Sequence, residues 1–159
     1  MSDPVMSDST ASSTTESYLA PGLAAPRPAR DGLDEPYWSG AREHVLRVQR
    51  CDSCQTFQWG PEWMCHNCQS FDVGWVDVAT SGKIYSWQRP HHPVHPALND
   101  QGPYIVVLVE LPEAGNVRMV GNLLGDPLQE VVIGSDVEAV FEDHNDNDPP
   151  FTLVQWRVV

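Results

Sequence analysis

Basic residues are scarce in this chain of 159 residues, which has nine Lys and Arg residues against 22 Asp and Glu residues. Lys83 is its one lysine, and the formal net charge at pH 7 is −13. Proteins that bind nucleic acids neutralise phosphates with Lys and Arg, and anionic membrane surfaces attract the same residues. The composition therefore predicts neither a nucleic-acid partner nor a membrane partner.

Long apolar runs are also missing. The longest, residues 105–109, is far shorter than the roughly 20 residues that a membrane-spanning helix needs. The N-terminus has neither the basic region nor the apolar region of a secretory signal. We therefore expect a cytoplasmic protein, in which thiols stay reduced and the four cysteines do not form disulfides.

Motifs of catalysis are absent as well. The chain has no GxSxG, no P-loop and no GxGxxG sequence, which removes the usual nucleophile elbow and phosphate-binding loops. Three histidines, His91, His92 and His95, lie among prolines. They could bind a metal or transfer protons, but such a sequence is more typical of a rigid surface loop. We predict no catalytic residue.

What the chain does contain is enough apolar material for a core. Hydrophobic residues make up 41% of it, including six Trp, four Tyr and four Phe, so a compact domain is expected. Residues 1–32 differ, with six Ser, three Thr, five Ala, four Pro and Tyr18 as the one aromatic residue. We interpret this segment as a disordered tail, with a partner-binding arm as the alternative.

Residues 33–70 are predicted to form a helix followed by a small ribbon. Asp34 is a plausible N-cap, and Pro36 suits the first helical turn, where no amide donor is lost. Apolar residues follow at helical spacing, namely Tyr37, Trp38, Ala41 and Val45. A strand is predicted after them, ending at Cys51.

From Phe71 onward the apolar residues alternate, which is typical of strands. The strands expected over residues 71–159 are short, and turn signals separate them, the first at Ser81-Gly82. Five or six strands at this spacing indicate a small barrel or sandwich. The predicted fold is therefore mainly β, with a helix and ribbon at 33–70 and a barrel at 71–159.

The four cysteines form two CxxC knuckles, Cys51 with Cys54 and Cys65 with Cys68, separated by ten residues. Two facing knuckles provide tetrahedral sulfur ligation, which zinc accepts readily, and no cysteine is left over. Such a site has no open coordination position, so we predict structural Zn²⁺ and no catalysis by the metal. Iron in a rubredoxin-like redox site and a dithiol redox pair are the weaker alternatives.

Residues beside the ligands raise two further expectations. Gln55 and Gln69 stand where many zinc knuckles have Gly in a left-handed conformation, so looser turns are expected. The loop between the knuckles holds Phe57, Trp59 and Trp63. These rings either cover the metal site and pack on the barrel or form an exposed patch that docks a protein partner.

Several short motifs follow one another in a specific order over residues 34–159. They are Pro36-Tyr37-Trp38, the two knuckles, Gly74-Trp75-Val76, Gly82-Lys83-Ile84-Tyr85-Ser86, Pro103-Tyr104, Gly121-Asn122-Leu123-Leu124-Gly125 and Ile133-Gly134. This order resembles a family of acyl-CoA-associated proteins built from a rubredoxin-like zinc ribbon and an OB-fold, long catalogued as a domain of unknown function.

The resemblance implies an OB-fold barrel and a non-catalytic accessory subunit of a thiolase-fold enzyme, in a complex of two plus two chains. Such partners include thiolases, hydroxymethylglutaryl-CoA synthase assemblies and the lipid-transfer-protein-like aldolases that cleave steroid side chains. We lean to the aldolase. The resemblance assigns the metal ligands to Cys51, Cys54, Cys65 and Cys68.

The resemblance also implies which surfaces meet the partner and its acyl-CoA. Docking is expected from the helix and ribbon, through Tyr37, Trp38, Phe57, Trp59 and Trp63. Because the chain is acidic, the partner is expected to supply most of the coenzyme A binding. Lys83, Arg89 and Arg118 are expected to make at most a minor contribution to the binding of coenzyme A.

Two other functions fit parts of the sequence. Zinc ribbons and OB-folds each have relatives that bind nucleic acid, so a module that binds single-stranded nucleic acid is one alternative, although the negative charge opposes that function here. An iron electron carrier is the second alternative, and the colour and metal content of the protein would decide it.

Overall fold

The protein is represented by a computed structural model, which describes residues 32–92, residue 98 and residues 102–159. The predicted tail, apart from Gly32, and His95 of the histidine loop lie outside the described residues and stay predictions. The regular elements are α1 Glu35–Arg42, β1 Leu46–Cys51, β2 Phe57–Gln58, β3 Val73–Val78, β4 Ser81–Gln88, β5 Val106–Leu111, β6 Val117–Asn122, β7 Asp136–His144 and β8 Phe151–Val158.

Helix α1 begins where the sequence predicts it, but its first turn is held differently. Asp34 occupies the N-cap position without a capping hydrogen bond from its side chain. Its carboxylate instead accepts a hydrogen bond from the indole Nε1 of Trp38, at 2.7 Å. The N-cap position of Asp34 is therefore as predicted, but its side chain does not cap the helix. The apolar side of the helix is confirmed, since Tyr37 and Ala41 are buried.

The first sheet has three strands in the order β2-β1-β3. β3 runs antiparallel to β1, with Leu46 opposite Val78 and Cys51 opposite Val73. β3 follows the predicted boundary at residue 70, so strands from both predicted parts share one sheet. The expected strand start at Phe71 is wrong, because that side chain is 76% exposed and precedes β3.

The second sheet has five antiparallel strands in the order β6-β5-β4-β7-β8. Its two edge strands approach each other where Leu123 bridges to Trp156 and the Leu124 amide donates to the Trp156 carbonyl at 2.8 Å. The sheet thus forms a nearly closed barrel of the OB type. The predicted fold class, mainly β with one helix, a ribbon and a small barrel, is confirmed.

Two glycines allow backbones to approach closely in this barrel. A Cβ on Gly82 would lie 2.5 Å from Val109 Cγ1, and Gly82 lies within β4. The turn predicted at Ser81-Gly82 is therefore wrong, since the glycine serves strand packing. A Cβ on Gly121 would lie 2.6 Å from Cδ1 of the fully buried Trp156, so Gly121 permits closure between β6 and β8.

One apolar core joins the two sheets and the helix. It contains barrel residues such as Val107, Val109 and Trp156 together with Ala41 of α1 and Val48 of β1, all fully buried. Among the described residues, no helix is long and apolar enough to cross a membrane.

A buried carboxylate sits where β7 pairs with β8, a feature that the sequence did not reveal. Glu142 is 1% exposed. One of its oxygens accepts a hydrogen bond from Gln155 Nε2 at 2.7 Å, and the other lies 3.1 Å from His144 Nε2. The carboxylate is therefore satisfied inside the barrel, as buried polar groups must be.

Candidate metal centre and partner surfaces

The four predicted ligands come together. The Sγ atoms of Cys51, Cys54, Cys65 and Cys68 all lie within 4.8 Å of one another. Two of the separations, Cys51 to Cys68 and Cys54 to Cys65, are 3.6 Å. A tetrahedral zinc with Zn–S bonds of ~2.3 Å would hold its sulfurs about 3.8 Å apart. The geometry therefore fits a four-thiolate metal site.

The two knuckles have the same backbone hydrogen bonds. In the first, the Gln55 amide donates to the Cys51 carbonyl at 2.9 Å, and in the second the Gln69 amide donates to the Cys65 carbonyl at 2.9 Å. Gln55 has φ 64° and Gln69 has φ 62°. The expectation of looser turns is therefore wrong, because both glutamines adopt the left-handed conformation that glycine usually supplies.

The side chain of Gln55 helps to hold the first of these turns. Its Nε2 donates to the Asp52 carbonyl at 2.8 Å, within the same knuckle. Among the residues that the structure describes, the side chain of Gln69 makes no such bond within its own knuckle. The first turn therefore has a local stabilisation that the second lacks.

The electrostatics of the cluster favour a bound cation. Hydrogen bonds from the side chain and backbone of Thr56 lower the pKa of the Cys54 thiol to about 5. A backbone hydrogen bond from Ser70 also favours the thiolate of Cys68, but its thiol neighbours, Cys54 foremost, raise its pKa to about 12. Thiolates this close repel one another, so four of them require a divalent cation between them.

With four cysteine ligands, a tetrahedral metal has no open coordination position. Cys51 and Cys65 are buried, whereas Cys68 is exposed at the surface. His66 lies between two ligands in the sequence, but the metal-binding cluster found among the described residues contains cysteines alone. The backbone amide of His66 donates to Gln58 Oε1 at 3.3 Å. A closed four-sulfur site of this kind stabilises a fold and does not activate a substrate.

Two buried glutamines hold the loop between the knuckles. Gln58 donates to Gln49 Oε1, and Gln49 Nε2 donates to the Glu62 carbonyl at 2.9 Å. The Glu62 amide returns a hydrogen bond to Gln49 Oε1 at 3.0 Å. Sequence analysis missed this pair, since glutamines in strands usually face solvent. The loop that carries Trp59 and Trp63 is thereby fixed to β1.

Four of the five predicted docking residues are at least partly buried. Tyr37 is buried, and its ring meets those of Trp38 and Trp59 edge-on, with centroids 4.9 and 4.8 Å apart. Burial is the main cause that raises the Tyr37 pKa. Phe57 lies against Gly115, with the Arg50 guanidinium 5.2 Å from its ring centroid. These rings therefore pack the helix and ribbon together.

The remaining predicted docking residue, Trp63, is exposed, and two other exposed apolar residues lie near it in the sequence. Trp63 is 69% exposed, Met64 39% and Phe71 76%. All three flank the second knuckle in sequence, and we call them the second-knuckle surface. Sequence analysis did not assign Met64 or Phe71 to this surface, because it placed Phe71 in a strand. Exposed large apolar side chains mark an interaction site where they form one continuous patch.

The three predicted acyl-CoA-bordering cations all have partners within the chain. Lys83 pairs with Asp136 at 2.6 Å. Arg118 pairs with Glu110 at 3.0 Å, and its guanidinium lies 3.5 Å from the centroid of the Tyr85 ring. These residues lie on paired strands, so the charges alternate in sign across the outer face of the barrel.

The third cation, Arg89, has a structural role. Its Nε donates to the Pro127 carbonyl at 2.7 Å, and its Nη2 donates to the Gln129 carbonyl. It thereby holds the loop between β6 and β7, whose Leu128, Val132 and Ile133 side chains are exposed. The role of Arg89 at an acyl-CoA stays a prediction.

A shallow apolar groove lies between α1 and the barrel, with a volume of about 290 Å³. Its walls include Trp38 of α1, Val120 of β6 and Leu153 of β8, and its polar groups include Asn122 and Gln155. Gln155 Oε1 accepts hydrogen bonds from the Asn122 amide at 3.0 Å and from Asn122 Nδ2 at 3.2 Å. Sequence analysis did not identify this groove, because it forms from elements far apart in the chain.

Two sequence families match the chain side by side. The ChsH2 rubredoxin-like zinc ribbon domain matches residues 38–74, and the ChsH2 C-terminal OB-fold domain matches residues 75–142. Together they cover the helix, both knuckles and most of the barrel.

One solved structure combines high coverage with clear sequence similarity. It is described as Ltp2-ChsH2(DUF35) aldolase, and the matched chain is 36% identical to this one with a TM-score of 0.68. The match covers 83% of this chain and 98% of that chain.

Two curated bacterial proteins are also similar, but both are much longer. The probable enoyl-CoA hydratase alpha subunit of Thermomonospora curvata is 37% identical over 91% of this chain and 43% of its own length. The 3-oxo-4,17-pregnadiene-20-carboxyl-CoA hydratase alpha subunit of Mycobacterium tuberculosis is 30% identical over 76% of this chain and 36% of its own length. The chain thus spans about two fifths of the length of these relatives.

Proposed function

Since this chain belongs to the ChsH2 (DUF35) family of proteins built from a rubredoxin-like zinc ribbon and an OB-fold, we propose that it is a non-catalytic accessory subunit. It docks on a thiolase-fold enzyme and helps to form or stabilise the acyl-CoA site of that enzyme. The observation that carries this proposal is the match over 98% of a chain from the Ltp2-ChsH2(DUF35) aldolase.

The partner's reaction follows from which relatives match along their whole length. Both hydratase relatives are matched over less than half of their length, so their hydratase names describe proteins with additional chain. The aldolase structure contains a chain that this one covers almost completely. We therefore assign the partner to carbon–carbon bond cleavage in a steroid-type acyl-CoA, with an acyl-CoA thiolase as the alternative.

The second-knuckle surface is the docking surface that we propose. Trp63, Met64 and Phe71 expose apolar area on a ribbon that its metal and the Gln49–Gln58 pair hold in place. Aromatic residues presented on a rigid support lose little conformational entropy on binding and are typical anchors of interfaces. Tyr37, Trp38, Phe57 and Trp59 contribute by supporting the ribbon from within.

We propose that the metal is Zn²⁺, held by the thiolates of Cys51, Cys54, Cys65 and Cys68. Zinc has no redox chemistry in this setting, so the site holds the two knuckles in register and transfers no electrons. The purified protein should be colourless and contain one zinc per chain. Thiolate-to-iron absorption bands in the visible region would contradict the zinc assignment.

The partner supplies most of the binding of coenzyme A. Lys83 and Arg118 are already paired with carboxylates, and Arg89 is bonded to two backbone carbonyls. Residues 110–159 add ten acidic residues against two basic ones, which repels the phosphates of coenzyme A. Calorimetric titration of the isolated chain with coenzyme A should show no tight binding.

The test of the proposed function is co-expression with a thiolase-fold protein encoded beside it. We expect one complex, two copies of each chain, with a mass measurable by light scattering. Replacing Trp63 and Phe71 by Ser should dissociate it, whereas Leu128→Ser, on a barrel loop and 66% exposed, should not. Recovery of two separate, fully active proteins would contradict the proposal.

A further inference from the structure

We propose that Arg50, near the end of β1, binds a carboxylate of the thiolase-fold partner. This inference rests on the proposed accessory function and adds to it the chemistry of one partner side chain and the residue that receives it. Three observations carry it. They are a buried Nε atom without an acceptor, a guanidinium held over an aromatic ring, and a position beside the second-knuckle surface.

The guanidinium of Arg50 is unsatisfied within its own chain. Its Nε is buried and has no hydrogen-bond partner, whereas the residue as a whole is only partly buried. An arginine has five N–H donors and no acceptor, and it stays charged in proteins. Because a buried donor without an acceptor costs stability, such a group calls for an acceptor from outside the chain.

Other cations of the molecule do have acceptors in the chain. Arg47 donates to Glu43 and Asp77 at 2.7 and 2.9 Å. Carboxylates or backbone carbonyls also accept hydrogen bonds from Lys83, Arg89 and Arg118. Among the described residues, none accepts a hydrogen bond from the side chain of Arg50, although the chain has 22 acidic residues. The acceptor of Arg50 is therefore expected from another molecule.

The position of the guanidinium is fixed before a partner arrives. Cζ of Arg50 lies 5.2 Å from the centroid of the Phe57 ring, which is within the range of a cation–π contact. Arg50 is paired with Phe57 of β2 on one side and with Gly74 of β3 on the other. A guanidinium stacked on an aromatic ring keeps its N–H groups available in its own plane, and one already held in place loses little entropy on binding.

Arg50 lies beside the second-knuckle surface. The Asp52 amide donates to the Asp72 carbonyl at 2.9 Å, which extends the pairing of β1 with β3 toward Phe71. Phe71 is three residues before Gly74, the residue opposite Arg50. The Cα atoms of Phe71 and Gly74 are therefore no more than about 11 Å apart. A partner that covers Phe71 is close enough to place a side chain against Arg50.

A carboxylate suits this position better than a phosphate of coenzyme A. The two oxygens of a carboxylate match the planar fork of one guanidinium in a bidentate pair, with one charge on each side. A phosphate dianion is repelled more strongly than a carboxylate by the neighbouring Asp52 and Asp72 and by the acidic chain as a whole. One cation in an acidic chain also fixes where a partner carboxylate must lie, which orients the two proteins.

The test compares variants of the full chain, with the partner titrated against each at one ionic strength. Arg50→Met keeps an unbranched side chain without charge or donors, and its dissociation constant should rise at least about tenfold. Arg50→Lys keeps the charge but loses the fork, so its dissociation constant should lie between those of Arg50→Met and the unmodified chain. The matched control is Arg42→Met, which removes the same charge from the exposed end of α1 and should change the dissociation constant by less than about twofold.

The stability of the isolated chain separates binding from a structural role. Because Arg50→Met removes a buried donor that has no acceptor, its urea midpoint should equal or exceed that of the unmodified chain, with one zinc per chain retained. A lower midpoint or a loss of zinc would show that Arg50 supports the fold, and would overturn the inference. An Arg50→Met variant that binds the partner as tightly as the unmodified chain does would overturn it as well.

The Nε–H resonance of Arg50 provides a measurement that needs no substitution. Its exchange with solvent should slow in the complex, since a carboxylate then accepts from this donor, and it should not respond to coenzyme A added to the isolated chain. Unchanged exchange in the complex, or a response to coenzyme A alone, would contradict the inference. The unmodified chain is titrated in the same series. If it forms no complex, the proposed function fails, whereas a complex that does not depend on Arg50 ends only this inference.

Discussion

The ribbon and the barrel are held together by different forces. The ribbon has three strands of six, two and six residues, two buried glutamines and a metal site. The barrel has five strands around an apolar core in which Val107, Val109 and Trp156 are fully buried. The barrel is therefore held mainly by hydrophobic burial. The ribbon shares this core through Val48 of β1, but its two knuckles depend on the metal and on specific hydrogen bonds.

The difference also explains where apolar side chains can be exposed. Trp63 and Phe71 stand out from the ribbon because the metal, and not a core, fixes the second knuckle. In the barrel, Trp156 is fully buried in the core, whereas Tyr85 on β4 is 44% exposed. A metal-held ribbon can therefore present aromatic rings to a partner at little cost to its own stability.

The largest effect should come from loss of the metal. Replacing the buried Cys65 by Ser removes one thiolate from a type of site whose metal binding contributes about 10–16 kcal/mol to small zinc domains. Amide resonances of the ribbon should lose their dispersion while the methyl resonances of Val107 and Val109 keep theirs. Simultaneous loss of both sets would contradict a separate stabilisation of the two regions.

A matched substitution in the other knuckle serves as the control. Ser53 lies between two ligands, and its hydroxyl is 2.9 Å from that of Ser70 at the exposed surface. Ser53→Ala should therefore keep one zinc per chain and a dispersed ribbon spectrum.

The next effect should be confined to the barrel. Gly121→Ala places a methyl group against the Trp156 indole, and overpacking of this kind costs about 1–3 kcal/mol. Urea unfolding should show this loss of free energy with an unchanged zinc content. Val120→Ala, at the exposed neighbouring position, should change the free energy of unfolding by less than about 0.5 kcal/mol. Equal effects of the two would rule out Gly121 as the closure point.

A third effect should be confined to the ribbon loop. Gln58→Leu removes one of the two donors to Gln49 Oε1 and the acceptor of the His66 amide, and an unsatisfied buried polar group costs about 1–3 kcal/mol. Hydrogen exchange at the amides of Glu62 and His66 should accelerate, while exchange in β5 stays as it was. Unchanged protection at both loop amides would show that the metal alone fixes the loop.

The smallest effect on the free energy of unfolding should distinguish the turns of the two knuckles. Glutamine in the left-handed conformation costs about 1 kcal/mol, which glycine does not incur. Gln69→Gly should raise the free energy of unfolding by a few tenths to about 1 kcal/mol. Gln55→Gly should gain less, because it loses the hydrogen bond from Gln55 Nε2 to Asp52. A larger gain at Gln55 would contradict the local role of that side chain.

The metal site and the barrel could be predicted from the sequence, because each produces a distinctive local pattern. Two CxxC pairs with no spare cysteine predict a four-sulfur site, and the four Sγ atoms do converge. Alternating apolar residues separated by turn signals predict a small barrel, and the five-stranded sheet confirms it. Both signals are local in the chain, so they can be read without knowing the fold.

Features that depend on contacts between residues far apart in the chain could not be predicted from the sequence. Gly82 resembles a turn residue until its distance to Val109 is known, and Glu142 resembles a loop acid until Gln155 and His144 surround it. The groove likewise needs α1, β6 and β8 to come together. Whether a polar residue or a glycine stabilises the fold depends on its neighbours in space, which short sequence patterns do not specify.

We propose that this chain completes the active complex of a thiolase-fold partner through the second-knuckle surface. The most direct test of this proposal is the rate of acyl-CoA cleavage by a fixed amount of partner as this chain is added. We predict activity that rises to a plateau near equimolar chain, and a half-saturating concentration at least tenfold higher for the Trp63→Ser, Phe71→Ser variant with the same plateau. A partner that is fully active alone, or a variant that saturates as the unmodified chain does, would contradict the claim.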